Sequence, residues 1–210
     1  MTMIHQIDID VSSVLRRTVC DLYSNLVTRP TGAAVRTEIE QLLLDGASGA
    51  EKESLRARPA IGTLTVIDFT HVNLLDFSCA DEVVAKLLLR FADERASAET
   101  GADAPARPAY FLFRGVRDEH LEAIECVLER YRLALVAVSA DGEALLVGEV
   151  DDGERELWQA VRRLGRAGAA ELADEVGADV DTVSRLLDAL YRRRLIMRLE
   201  TDYVALGELT

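Results

Sequence analysis

"TLTVIDFTHVNLLDFSCADEVVAKLLLRF", residues 63–91, changes its apolar period part-way along. From Leu64 to Phe69 it is apolar on both faces apart from Thr65 and Asp68, the pattern of a strand enclosed by layers on either side. From Ser78 onward Val83, Val84, Leu87, Leu88 and Phe91 recur at the spacing of a broad buried helix face. A buried strand that turns a corner into such a helix is the building unit of an α/β layer. The corner carries Asp76, Ser78 and Asp81, and their role is the central functional question.

Outward from this unit the same logic extends the layer. "HQIDIDV" near the start alternates like a short strand ending at Ser12 and Ser13, and "SSVLRRTVCDLYSNLV" predicts a helix with a serine N-cap and Val14, Leu15, Val19, Leu22, Leu26 and Val27 on one stripe. "TRPTG" predicts an interruption at Pro30 and Gly32, followed by a second helix through "AAVRTEIEQLLL". Residues 1–50 are thus expected as a helical segment ahead of the main layer, and 45–62 as a polar loop. Beyond a charged excursion over 92–108, "AYFLF" and "LALVAVS" read as buried strands around an amphipathic helix capped by Asp118. Asp141-Gly142 predicts a two-residue hairpin into "EALLVGEV".

After Val150 the run "DDGE" marks a boundary. Three short helices, "ERELWQAVRRLG", "AAELADEVG" and "DVDTVSRLLDALYRRRL", precede a hairpin around Thr201 and Asp202. Helix, helix, helix, hairpin is the order of a winged helix. The expected domains are therefore 1–152 and 153–210. Thr182, Ser184 and Arg185 fall on the outer face of the third helix, and Arg192, Arg193, Arg194 and Arg198 cluster near its end; these are the candidate contacts to DNA or a partner.

The strand, corner and helix "TVIDFTHVNLLDFSCADEVVAKLLL" resemble STAS and STAS-like domains, the bacterial signalling modules that include anti-sigma-factor antagonists. The resemblance covers about Leu64 to Val150, with "DFSCADE" most similar to the STAS-like branch. It implies an α/β fold, a STAS-like sheet with packed helices, to which the C-terminal winged helix is added. In the antagonists an Asp-Ser-Ser/Thr-Gly-like loop presents a hydroxyl to a partner kinase. The match places Asp76 at the Asp and Ser78 at the candidate phosphoacceptor, with Phe77 in place of a small residue and Cys79 in place of the Gly. Read without the family, Ser78 is a candidate N-cap, with Asp81 three residues on as its capping-box partner. A phosphate there would gain from the helix dipole but meet Asp76 and Asp81.

Composition narrows the function classes. The net charge is −13, and 22 of the 24 basic residues are Arg, only Lys52 and Lys86 being Lys. Such a field repels nucleic acid and anionic membrane at long range. Residues 153–210 hold 11 acids against 9 arginines, net −2, which leaves net −11 for residues 1–152. The C-terminal part is the better placed to meet DNA. Three scattered cysteines and three scattered histidines favour reduced, buried thiols and no metal site. Asp68, at the end of its strand, has no acid, His or Lys at a spacing that would make it catalytic, and no phosphate loop or nucleophile elbow appears. The first twenty residues do not read as a secretory signal, and no run is long enough to span a bilayer.

The expectation is a cytoplasmic, non-enzymatic bacterial regulator without cofactor. It acts through a regulatory protein partner of kinase or anti-sigma type, and forms a homodimer as an added candidate state. The alternative is a DNA-binding transcription regulator whose STAS-like half dimerises or senses a ligand.

Overall fold

The computed structural model describes residues 3–20, 24–46, 60–92 and 108–209. The first strand, β1 (Met3–Asp10), passes into α1 (Val11–Thr18), and a short strand β2 (Asn25–Leu26) leads to α2 (Arg29–Gly46). Strand β3 (Ala60–Asp68) and the two-residue β4 (Leu74–Leu75) precede a continuous helix α3. Its turns are Phe77–Ala80, a π-helical stretch Asp81–Lys86, and Leu87–Ala92. Then come β5 (Ala109–Val116), α4 (Asp118–Tyr131), β6 (Ala134–Ser139) and β7 (Ala144–Gly148). Beyond β7 come α5 (Asp152–Leu164), β8 (Arg166–Gly168), α6 (Ala169–Val176), α7 (Val180–Arg192), β9 (Ile196–Leu199), β10 (Asp202–Ala205) and a 3-10 turn (Leu206–Leu209).

The main sheet has the order β1-β3-β5-β6-β7. The first four strands are parallel and β7 returns antiparallel. Each parallel crossover steps to the next strand in the same direction, so the right-handed rule puts every crossover helix on the same face. That face packs Ile9, Ile67, Phe111, Phe113, Leu135 and Val147 against α1 to α4 in one apolar cluster. The other face, with Leu64, Val66, Tyr110, Leu112, Val136 and Leu146, packs against Trp158, Val161, Leu190, Leu195 and Ile196 from beyond β7. The expected division at residue 152 falls at the start of α5, yet the second apolar cluster runs straight across it.

Several local expectations change. The first helix begins at Val11, capped by Asp10, which accepts from Ser12 N at 3.0 Å and Ser13 Oγ at 2.6 Å. A carboxylate two residues ahead of Ser12 supersedes the serines as cap. The helix ends at Thr18, so the predicted stripe breaks: Val19 is exposed and Leu26 lies in β2. Leu22 lies outside the described residues, as do most of the loop expected over 45–62 and of the excursion over 92–108. Pro30 opens α2 instead of interrupting a helix, because the first turn needs no amide hydrogen there. Gly32 allows α2 to cross α3 closely: a Cβ at this position would lie 2.9 Å from Cys79 Cα.

Asp118 is the first helical residue of α4, not its cap; Arg117 takes the cap position, and its amide donates to His120 Nδ1 at 3.4 Å. The β6–β7 turn holds Gly142 at φ +85°, but it is longer than two residues, closed by Ser139 N to Glu143 O at 2.8 Å. Cys20 and Cys126 are exposed and only Cys79 is buried, so the expectation of buried thiols fails for two of the three. Among the described residues, no helix is long and apolar enough to cross a membrane.

Trp158, the chain's single tryptophan, lies in the cluster between the sheet and the C-terminal helices. Denaturant unfolding followed by Trp158 fluorescence and by far-UV circular dichroism is expected to give one coincident transition, since a shared core unfolds as a unit. Two separated midpoints would show two independent cores.

Candidate functional site

The corner between β3 and α3 is braced from three sides. Strands β2 and β4 pair in parallel, Asn25 with Leu74 and Leu26 with Leu75, and Asp76 N donates to Leu26 O at 2.8 Å. Asn73 bonds Ser24 through its backbone amide (2.7 Å) and its side-chain amide (2.7 Å). Arg117 Nη2 donates to Val72 O at 2.8 Å and also to Asn73 O. These contacts hold a turn that two strand residues alone would leave loose.

Asp76 is the N-cap of α3, not Ser78. Its Oδ1 accepts from Cys79 N at 2.8 Å, while Ser78 Oγ donates to the same carboxylate at 2.9 and 3.2 Å. The expected Ser78–Asp81 capping box is absent because the cap lies two residues earlier, at Asp76, and the helix starts at Phe77. Ser78 is half-buried and Asp76 likewise, whereas the side chains of Leu74 and Phe77 are 52% and 50% exposed. Val27, next to the Leu26 carbonyl that anchors Asp76, is also exposed. Cys79 donates its thiol to Thr28 O at 3.0 Å. Burial, reinforced by the Asp76 carboxylate, pushes that thiol up to about 12, so it is a packing residue and not a nucleophile.

Asp81 belongs to a different constellation. It and Glu82 are each only 3% exposed and stand next to each other on the π-helical turn. Arg29 Nη1 reaches Asp81 Oδ2 at 2.7 Å and Glu82 Oε1 at 2.9 Å. Arg36 reaches Glu82 at 3.2 Å and Glu40 at 2.6 Å, and Arg90 reaches Glu40 at 2.7 Å. Lys86 bridges Glu82 and, at 3.3 Å, Asp81, and Tyr131 Oη donates to Asp81 Oδ1 at 2.8 Å. Burial alone would push both carboxyls up. Hydrogen bonds from Arg29, Tyr131 and Lys86 outweigh it for Asp81, as those from Lys86 and Arg36 do for Glu82, and both stay below the ordinary carboxylate range. The network ties α2, α3 and α4 together. Only the Glu82–Lys86 and Arg36–Glu40 pairs, each four residues apart on one helix, had a sequence signal; the contacts of Arg29, Arg36 and Tyr131 to Asp81 and Glu82 join remote segments.

Asp68 also has a structural role. Its Oδ1 accepts from Thr70 N at 2.8 Å and its Oδ2 takes Arg114 Nε at 3.0 Å and Nη2 at 2.8 Å. Although burial opposes it, the Thr70 and Arg114 bonds hold this carboxyl below its usual range. Among the described residues no group of three or more His, Cys, Asp or Glu is placed to hold a metal ion.

The C-terminal candidates divide into two sets. Asp179 caps α7, accepting from Thr182 N at 2.8 Å, and Thr182 Oγ1 accepts from the exposed Arg185 at 3.0 Å. Ser184 is half-buried, Arg192 is exposed, and the exposed Arg198 lies 5.3 Å from the Tyr191 ring. Exposed Asp181 and Asp188 share the helix with Arg185. Arg193 turns inward, where Nη1 reaches the buried Glu154 at 2.7 Å and Nη2 donates to Glu149 O. Arg194 stacks 5.7 Å from the ring of fully buried Tyr110 and 5.8 Å from Tyr191. The corner residues and these arginines thus lie at separate places in the fold, the former with the helix-covered side of the sheet and the latter with the C-terminal unit.

Because Asp76 makes the cap, Asp76→Ala is expected to cost about 1–2 kcal/mol in urea unfolding, and Ser78→Ala clearly less. The depressed Asp81 and Glu82 carboxyls add stability that is complete above their unfolded values, about pH 4, and lost as pH falls through their folded ones. Denaturation at stepped pH should therefore show stability dropping in acid, and Asp81→Asn and Glu82→Gln should flatten that drop while lowering stability at neutral pH. In comparison with known proteins, no family model matches this chain and no curated protein matches it either, so the reading of the corner rests on its own geometry.

Proposed function

We propose that this chain is a non-enzymatic regulatory protein of the bacterial cytoplasm. Its α/β layer, read as STAS-like, receives a protein partner at the Asp76–Ser78 corner, and its C-terminal unit, read as a winged helix, transmits the signal. The observation that supports this most directly is the pair of half-exposed apolar side chains, Leu74 and Phe77, on either side of Asp76 at a rigidly braced turn. Exposed aromatic and aliphatic groups grouped on a fixed frame are what a protein interface uses as anchors. Ser78 acts through Asp76 in this reading. A phosphate on the Ser78 hydroxyl would face the carboxylate that now accepts its hydrogen bond, and the repulsion would pull Asp76 from the Cys79 amide and loosen the first turn of α3.

A second reading, transcription regulation through DNA, has its own support. The outer face of α7 offers Thr182, Arg185 and Arg192, and Arg198 extends from β9 beside it. Asp181 and Asp188 on the same helix oppose phosphate contact, which is why protein contact is preferred.

The two readings separate in an affinity capture from the native host using the wild-type chain, Phe77→Glu and Arg185→Glu. A partner recovered with the wild type and with Arg185→Glu, but reduced about tenfold or more with Phe77→Glu, is the expected result. Recovery indifferent to Phe77→Glu overturns the corner reading. Binding to genomic fragments that weakens steeply with salt and is lost in Arg185→Glu would instead establish the DNA reading.

A further inference from the structure

The main sheet has two edges, and they are finished differently. At β7, Arg155 Nη1 donates to Leu146 O at 2.8 Å and Arg162 Nη1 to Ala144 O at 2.8 Å, so arginines from α5 occupy carbonyls that a further strand would need. At the opposite edge lies β1, which spans eight residues and pairs with β3 on one side; no described strand pairs with the other. A strand of this length that pairs with a described strand on one side only is a template for another strand.

From the order of side chains on β1 we infer that its occupant is β1 of a second copy, running antiparallel about a two-fold axis at Ile7. Successive side chains alternate between faces: Ile7 and Ile9 join the cluster on the helix side, and Ile4 packs with the cluster on the other side. Gln6 and Asp8 share Ile4's face and are exposed; within the chain the Gln6 amide donates to Asp8 Oδ2 at 3.0 Å and Arg114 Nη2 lies 3.4 Å from Asp8 Oδ1. Centred on Ile7, the pairing sets Ile7 against Ile7 and Gln6 against Asp8, an amide facing a carboxylate. Asp10 then faces Ile4. No carboxylate opposes another carboxylate, a requirement that matters in a chain of net charge −13. The contact is isologous, so it closes at two copies. It joins two five-stranded sheets into one and leaves both C-terminal units on the same face.

Sedimentation equilibrium of the full chain from low to high micromolar concentration tests this. The expected result is a reversible dimer. Gln6→Glu, which puts carboxylates opposite each other twice by symmetry, should weaken it about tenfold, and Gln6→Arg should tighten it by a similar factor. Circular dichroism of both variants should match the wild type, because Gln6 is exposed. A monomer at every concentration, a dimer indifferent to both substitutions, or a response of opposite sign overturns the inference. None of these outcomes touches the corner, since Phe77→Glu leaves β1 unchanged.

Discussion

A parallel sheet whose crossovers all advance in one direction collects its helices on one face, and the apolar residues of the other face then need a cover from elsewhere. Here that face displays Leu64, Val66, Tyr110, Leu112, Val136 and Leu146, and the cover is the helix-and-ribbon unit that follows β7. Most other features follow from this demand. Tyr110 lies fully buried beneath Arg194. Trp158 sits 2% exposed between the layers, and the arginines of α5 reach the edge of β7 because α5 is pressed against it. At about 25 cal/mol for each square ångström of apolar surface removed from water, covering a whole sheet face outweighs any single ion pair at the seam.

The order of the main-sheet strands and the helices along the chain was legible from apolar period, since continuous runs such as "TVIDF" need cover on both sides and the later segments keep a helical stripe; the short strands β2, β4 and β8 carry too few residues to show a period. What covered the second face was not legible, because a helix stripe shows how much it buries and not against what. The cap positions were displaced by two residues for a similar reason. Asp10 and Asp76 each stand two positions before a serine, and a short carboxylate placed there captures the free amides before the hydroxyl can. The π-helical turn was invisible in the sequence: it carries two adjacent buried acids, Asp81 and Glu82, whose partners Arg29 and Arg36 lie some fifty residues away. Likewise "RRR" at 192–194 looks like one basic cluster in sequence. In space only Arg192 faces outward, because the chain turns at Arg194, where φ is +61°, and sends its neighbours under the helix.

Two kinds of polar chemistry therefore stand side by side on α3. At its N-terminus the contacts are local, partly exposed and held by a single carboxylate. One turn further the carboxylates are sunk among cations from other helices, a constellation that fixes relative helix position and that is costly to disturb one partner at a time. A partner arriving at Phe77 thus meets a braced turn backed by a charged frame that resists deformation.

The connection between sheet and C-terminal unit consists of only Glu149, Val150 and Asp151. Each is in use: the Glu149 carbonyl holds Arg193, Val150 packs into the apolar seam, and Asp151 receives the Glu154 amide. There is no slack for the unit to swing on a tether. Whatever passes between the two ends of the molecule must travel as a tilt or slip of one packed layer over another, small in amplitude and felt at once by every side chain in the seam.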